Sequence, residues 1–531
     1  MRKTAITILL MMAALCGYAQ SAYDGLLFSE NNYEGTARSV AMGNAFTALG
    51  GDLGSITINP AGSAVAGYSQ FTITPGITLS ASTSQGVSPY ADGTLPYFER
   101  KMKSSMTSFN VPNMGMTINW DTNRNSGLKN MTFGFVVNKT ASFDQNVYAN
   151  GINSTTSFMG AMAVAADGYL DTDLNSSDAY YNYPWSSVVA YQSGMIGTYG
   201  EFNDRYVGAS ELVFDNGDIV VGGDLDQTYG RQVSGGKYDY AFNIGANISD
   251  LLYIGANLGM ISLDYHYDEY FKEKALDPND FEIALNNGKY MYFSQMKYNF
   301  RYEADGSGAY AKLGAILTPG FGLRIGAAIQ TPEVNSIIER WQYTGSTEFT
   351  PSSYDGYAYS PEGEYRYTVI SPFRANIGLA YTFGAVGIVS ADYEYCDYSQ
   401  MQFSADGDEQ DYFDEVNSVI KEVFGPQHML RLGAELKIGK AAIRGGYGLT
   451  TSPEKNFNGL YRSNFSFGLG YSSKGSFFAD FAVRMNTYNS EYYMPYSDYI
   501  FDDEDNILEP APELLITRSD WKALLTLGWR F

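Results

Sequence analysis

The chain has 531 residues with 58 acidic side chains against 34 basic ones, a formal charge of −24, and it is rich in Tyr (45), Phe (31) and Gly (56). That charge excludes an electrostatic nucleic-acid binder, which needs a basic footprint. Past residue 16 the only cysteine is Cys396, so the exported chain has no internal disulfide.

Met1-Arg2-Lys3 is a short basic region, Ala5 to Leu15 a short apolar one, and Gly17-Tyr18-Ala19 presents small residues to a signal peptidase. Residues 1–19 therefore read as a signal peptide cleaved before Gln20. Cys16 suggests a lipoprotein, but Leu15 stands where such signals want a small residue. No later apolar run approaches the roughly 18 residues of a membrane helix. A membrane protein built from this chain must cross as a barrel.

Residues 20–66 do not alternate. Ala37, Val40, Ala41, Ala45 and Leu49 fit one face of a short helix ended by Gly50-Gly51, and Asn59-Pro60-Ala61-Gly62 follows. Pro60 is expected to fix the backbone where the chain turns into its first strand.

From residue 67 onward the chain alternates with period two. Phe71, Ile73, Ile77, Leu79 and Ala81 open the series; Met114 to Trp120, Met131 to Val137, and Tyr238 to Ile248 continue it. After a Ser249-Asp250 turn, Leu252 to Met260 returns, and the phase then flips to Leu263, Tyr265 and Tyr267, which predicts a bulge. Further strands are predicted at 296–317, 321–343, 365–383, 385–402, 427–438, 441–450, 462–472, 475–489 and 520–531. In the last one Trp521, Ala523, Leu525, Leu527, Trp529 and Phe531 share a face opposite Lys522, Thr526, Gly528 and Arg530. An aromatic-flanked row facing lipid and a polar row facing a lumen read this way. Trp529 and Phe531 read as the terminal aromatic signal expected to be recognised by barrel-assembly machinery, since outer-membrane barrels typically end this way.

The fold class that follows is all-β, a transmembrane antiparallel β-barrel of about fourteen strands with an N-terminal lumenal hatch at 20–66. Connections at 121–129, 249–251, 318–320, around Gly384, 439–440 and 473–474 are short. Those at 84–105, 144–236, 268–295, 344–364, 403–426, 451–461 and 490–519 are mostly long. This asymmetry predicts periplasmic N- and C-termini and external long segments, 144–236 above all. A small-residue apolar helix ahead of a barrel can bury itself only in the lumen, so the hatch is expected there.

Acidic residues gather in the long segments: Asp215, Asp218, Asp224 and Asp226; Asp406, Asp408, Glu409 and Asp411; Asp502, Asp503, Glu504 and Asp505. They read as a solvated surface or, at 502–505, as carboxylates for a divalent cation. Arg324, Arg374, Arg431, Arg444, Arg484 and Arg530 point inward by the alternation, with Glu435 and Asp480 among them. Either they form an ion-paired lumen network that anchors the hatch, or one of them holds a substrate carboxylate. His266 and His428 are the only histidines and have no metal-ligand or nucleophile pattern beside them, so no enzyme, metal site or cofactor is expected.

Gly35-Thr36-Ala37-Arg38-Ser39-Val40-Ala41-Met42-Gly43-Asn44-Ala45-Phe46 through Gly50-Gly51-Asp52, followed by Asn59-Pro60-Ala61-Gly62, resembles the FadL/TodX family of outer-membrane transport proteins in its Bacteroidetes-type branch. The resemblance continues through Lys312-Leu313-Gly314, Leu323-Arg324-Ile325-Gly326-Ala327, Thr331-Pro332, Arg431-Leu432-Gly433-Ala434-Glu435 and Arg444-Gly445-Gly446-Tyr447. It implies a fourteen-stranded barrel in the cell outer membrane that passes hydrophobic small molecules, long-chain fatty acids among them. The hatch shifts and the ligand leaves through the wall into outer-membrane lipid. Asn59, Pro60, Ala61 and Gly62 match the hatch motif. A rival reading is a barrel without transport, serving as a subunit of an outer-membrane assembly or secretion complex.

Overall fold

The computed structural model describes residues 21–88, 97–200, 202–214, 217–285, 288–405, 410–457, 459–473, 476–502 and 506–531. The leader at 1–19, and with it Cys16, lies outside them, as do Asp215, Asp406, Asp408, Glu409, Asp503, Glu504 and Asp505.

Fourteen antiparallel strands close into one barrel. The first six are β1 (Gln70–Gly86), β2 (Met102–Asp121), β3 (Leu128–Ser142), β4 (Leu225–Ile248), β5 (Leu252–Ala275) and β6 (Tyr290–Gly320). Next come β7 (Leu323–Gln330, then Val334–Thr350), β8 (Gly363–Ile370, then Arg374–Phe383) and β9 (Gly387–Asp397). β10 (Pro426–Ile438), β11 (Ala441–Thr451), β12 (Leu460–Ser472), β13 (Phe477–Tyr488) and β14 (Leu514–Arg530) complete the wall. β14 pairs back on β1 with Phe71 opposite Trp529, which joins the last strand to the first and closes the ring. Trp521, Leu525 and Trp529 face outward, while Lys522, Leu524 and Thr526 are buried inside. The lipid-facing surface of β2 to β5 carries exposed Met116, Ile118, Phe133, Ile244 and Leu258. Among the described residues no helix is long and apolar enough to cross a membrane.

The short connections gather at one end of the barrel. Ser249 and Asp250 turn there at φ 57° and 55°, a left-handed pair whose twist matches the hairpin it joins. The 473–474 turn falls partly outside the described residues.

Expectations about the strands and the hatch helix are corrected. The phase flip after Met260 is no bulge, because β5 keeps an unbroken register with both β4 and β6 from Leu252 to Lys274. The alternation persists; what changes is the inner face, which turns from polar to apolar at Ile261, Leu263 and Tyr265 while Ser262 and Asp264 face out. Next, the strands drawn through 321–343 and 365–383 are each broken at a proline, Pro332 and Pro372, which lack the N–H that a ladder needs. Finally, the hatch helix expected to reach Leu49 spans only Ala37–Ala41. Gly43 and Asn44 adopt left-handed φ values of 63° and 58° and stop it.

The chain from Ser21 to Ala66 lies inside the barrel with most of its residues buried. It forms helix α1 (Ala22–Ser29), helix α2 (Ala37–Ala41) and two 3-10 turns, Leu53–Ser55 and Pro60–Val65. Pro60 starts the second of these turns, ahead of β1, rather than forming the corner into the strand. At the long-connection end, the described residues between 154 and 224 fold into a cap with helices α3 (Phe158–Ala166), α4 (Asp171–Leu174), α5 (Ala179–Asn182) and α6 (Trp185–Gln192). Its apolar side packs on Leu225, Phe271, Met296, Phe349 and Ile516 and seats it in the barrel mouth.

Candidate transport path and hatch

The hatch is tied to the wall by polar bonds at each of its turns. Asn59 caps the 60–65 turn by accepting from Ala61 N–H at 3.1 Å, and its amide donates to the carbonyls of Thr47 (2.6 Å) and Ala315 on β6 (3.1 Å). Asn243 donates to Pro60 O (3.0 Å), Asn257 to Ile56 O (2.9 Å) and Lys312 to Thr57 O (2.6 Å). Asp392 accepts from Thr47 N–H at 2.7 Å.

The wall makes room for this contact with glycine. A Cβ on Gly314 would lie 2.0 Å from Asn59 Oδ1, and one on Gly446 2.1 Å from Gly43 N, so no side chain fits either position.

Every inward arginine singled out in the sequence touches hatch, wall or both. Arg324 donates to Leu49 O (2.7 Å), Arg374 to Ser29 O (2.5 Å) and Arg484 to Tyr33 O (2.9 Å). Arg431 pairs with Glu394 at 3.0 Å, and the same carboxylate faces Arg374. Glu435 joins Arg38 of α2 (3.0 Å) to Arg444 (2.6 Å), which also holds Asp480 at 2.5 Å. Arg530 instead donates to Ser472 Oγ at the short-connection end (3.2 Å). Buried Lys522 pairs with Glu34, and Lys237 with Glu333. Arg431 and Arg484 each keep two guanidinium nitrogens without a protein partner.

Above the hatch the lumen is apolar, and ring follows ring across it. Helix α7 (Gln410–Val423) lays Phe413, Val416 and Ile420 inward, and Phe413 stacks on Phe403 at 5.5 Å. Phe403 meets Tyr367 (5.5 Å), while Tyr302 meets Tyr265 (6.0 Å), which touches Phe143 (5.2 Å). All belong to one cluster, with Leu26 and Phe28 of α1 inside it. Gly25 lets α1 approach, since a Cβ there would sit 2.8 Å from the Phe403 ring.

Phe143 marks the other end of this chamber, where the wall is not continuous. β2 pairs with β3 only from Asp121 to Asn113, although it keeps pairing with β1 as far as Met102. Past Ser142 the chain resumes as Gln145–Asn153, paired with β4 alone. Serine hydroxyls of β2 reach across the seam instead of its backbone N–H groups: Ser108 Oγ donates to Asp144 Oδ2 (2.6 Å) and Ser104 Oγ to the Asn146 carbonyl (2.5 Å). Exposed Phe109 and Val111 stand outward beside it, which puts the seam at the height of the lipid-facing band. From within, the hatch covers it: Asn32 N–H donates to Thr140 O (2.5 Å) and Glu34 N–H to Lys139 O (3.0 Å).

Sequence reasoning missed α7, the seam and the role of residues 26–34. The i, i+3, i+7 spacing of Phe413, Val416 and Ile420 was a legible helix signal. Nothing local announces that β2 and β3 part company. His266 faces outward against Asp264 and Glu303, and His428 bonds Tyr393. The described residues contain no cluster of three or more metal-ligating side chains; the 502–505 group lies mostly beyond them.

No protein-family model matches the sequence, and neither does any curated protein. Solved structures do. The Pseudomonas putida toluene transporter TodX aligns over 95% of this chain and 99% of its own at 12% identity, with a TM-score of 0.51. A Pseudomonas aeruginosa FadL homologue aligns over 95% and 100% at 11% identity, also with a TM-score of 0.51. The chain has the FadL/TodX fold. At this identity it is the architecture that is shared: a hatch-containing barrel built from an almost entirely different sequence.

Proposed function

We propose that this FadL/TodX-type barrel is a passive outer-membrane transporter of hydrophobic small molecules, long-chain fatty acids the first candidates. The carrying observation is the apolar chamber that runs from α7 to Phe143 and ends at the β2–β3 seam. In this conformation α1 fills the chamber. Withdrawing Leu26 and Phe28 costs about 3–6 kcal/mol at 1.5–3 kcal/mol per buried side chain, and an alkyl chain offsets it at about 0.8 kcal/mol per buried CH₂. A ligand that replaces α1 also loosens the Asn32 and Glu34 contacts that close the seam. It then leaves sideways into lipid. Cleavage of residues 1–19, termini on the periplasmic side and assembly through Trp529 and Phe531 belong to the same reading.

The inner arginines serve mainly to anchor the hatch: Arg324, Arg374 and Arg484 bond its backbone directly, and Arg444 reaches it through Glu435 and Arg38. The rival, a scaffold subunit, draws support from the filled chamber and capped mouth. Ser108→Trp separates the two. Under transport it obstructs the seam and lowers uptake of fatty acids or monoaromatic solutes while ligand binding to purified protein persists. Normal uptake in a strain carrying only this variant, together with misassembly of other outer-membrane proteins in the deletion strain, would establish the scaffold.

A further inference from the structure

The cap is fastened to the barrel by two buried carboxylates that no cation among the described residues neutralises. Glu273 lies on β5 well beyond its lipid-facing stretch and is wholly buried. It accepts from Ser157 Oγ, Phe158 N–H and Gln227 Nε2, each at 2.7 Å. Glu211 belongs to the cap and accepts from Gly208 N–H and from Tyr499 Oη, both at 2.8 Å. Tyr499 in turn accepts from Ser157 N–H (2.9 Å), and Ser157 Oγ meets Ser210 Oγ (2.7 Å). One knot therefore joins β5, β4, the start of α3, the cap strand and the last long connection.

The groups facing this knot are neutral or acidic. Tyr496 and Tyr499 come from the last connection, Gln227 from β4 and Tyr97 from the first connection, the latter bonded to Thr155. Glu269, nearer the membrane on β5, is held by Tyr229 and Tyr493. Among the described residues neither Glu211 nor Glu273 pairs with Lys, Arg or His. A buried charge without a counter-charge favours its protonated form.

We propose that Glu211 and Glu273 form a proton-sensitive latch that holds the cap on the barrel mouth, closed while the pair is protonated and loosened when both carboxylates ionise. Burial pushes Glu211 up to about 7 from the usual 4.5. Burial, with the Glu211 charge adding to it, pushes Glu273 to about 7 as well. Because these values are raised, the latch is fully present below about 4.5 and is lost as pH climbs through about 7. The latch rests on the uptake reading only for its purpose, as a gate on ligand access.

Hydrogen exchange on the full-length protein in detergent, without ligand, tests it separately from uptake. After correction for the pH dependence of chemical exchange, amide protection in α3 and α6 should fall at least tenfold between pH 5.5 and 8.5. Glu211→Gln and Glu273→Gln should each flatten that profile while amides of β5 to β7 stay protected. A flat profile in the native protein overturns the latch, as does an unchanged slope in both variants. If one variant does not fold, the other and the native titration still decide.

Discussion

Asn59 is wholly buried and ties the hatch to the wall with a single side chain. Asn59→Ala leaves Thr47 O, Ala315 O and Ala61 N–H buried without that partner. An orphaned buried group costs about 1–3 kcal/mol. A water in the vacated amide volume recovers part of this, so the low end, about 3 kcal/mol in all, is the expected loss of docking energy. At 1.4 kcal/mol per tenfold, the undocked fraction of the hatch rises about a hundredfold. Gly314→Ala attacks the same contact from the wall, since its methyl would need the space of Asn59 Oδ1. Both variants should show frequent open events in a planar bilayer where the parent shows few, while the heat-shifted electrophoretic mobility of the folded barrel stays normal. Parental conductance in both, with the barrel folded, would mean that this turn does not hold the plug.

Glu435→Ala strands Arg38 in the lumen and leaves Arg444 with Asp480 alone, and losing one partner of a buried pair costs about 3–5 kcal/mol, so thermal unfolding should begin at lower temperature, with Glu435→Gln intermediate. Deleting Phe531, which is 71% exposed, should lower the amount inserted in the outer membrane yet leave the unfolding of refolded protein unchanged. With periplasmic termini, trypsin added to intact cells should cut the cap near Arg205 and a membrane-impermeant maleimide should not label Ser249→Cys; the opposite pattern would invert the orientation. Leu26→Asp should expel α1 from the aromatic chamber and raise the binding of a fluorescent fatty acid, measured by titration of purified protein.

What the amino-acid order determined by itself is the barrel. A strand between lipid and a polar lumen must alternate, so period two reports strand number, and the positions of loss report short and long connections. Asn59, the small residues around it and the inward arginines were legible for the same reason: a low-charge segment with no alternation has only the lumen to occupy. Tertiary structure alone decided the rest. Alternation measures contrast between two faces, so where the inner wall turns apolar at Ile261, Leu263 and Tyr265 it reads as a slip of phase rather than as a chamber. Breaks at Pro332 and Pro372 needed only proline's missing N–H, but the length of ladder each interrupts depends on its neighbours. The seam is non-local in the strictest sense. β2 continues with β1 and leaves β3 after Asn138, where β3 bulges between Lys139 and Ala141 and where Asn32 and Glu34, more than a hundred residues earlier, supply the hydrogen bonds that β2 does not.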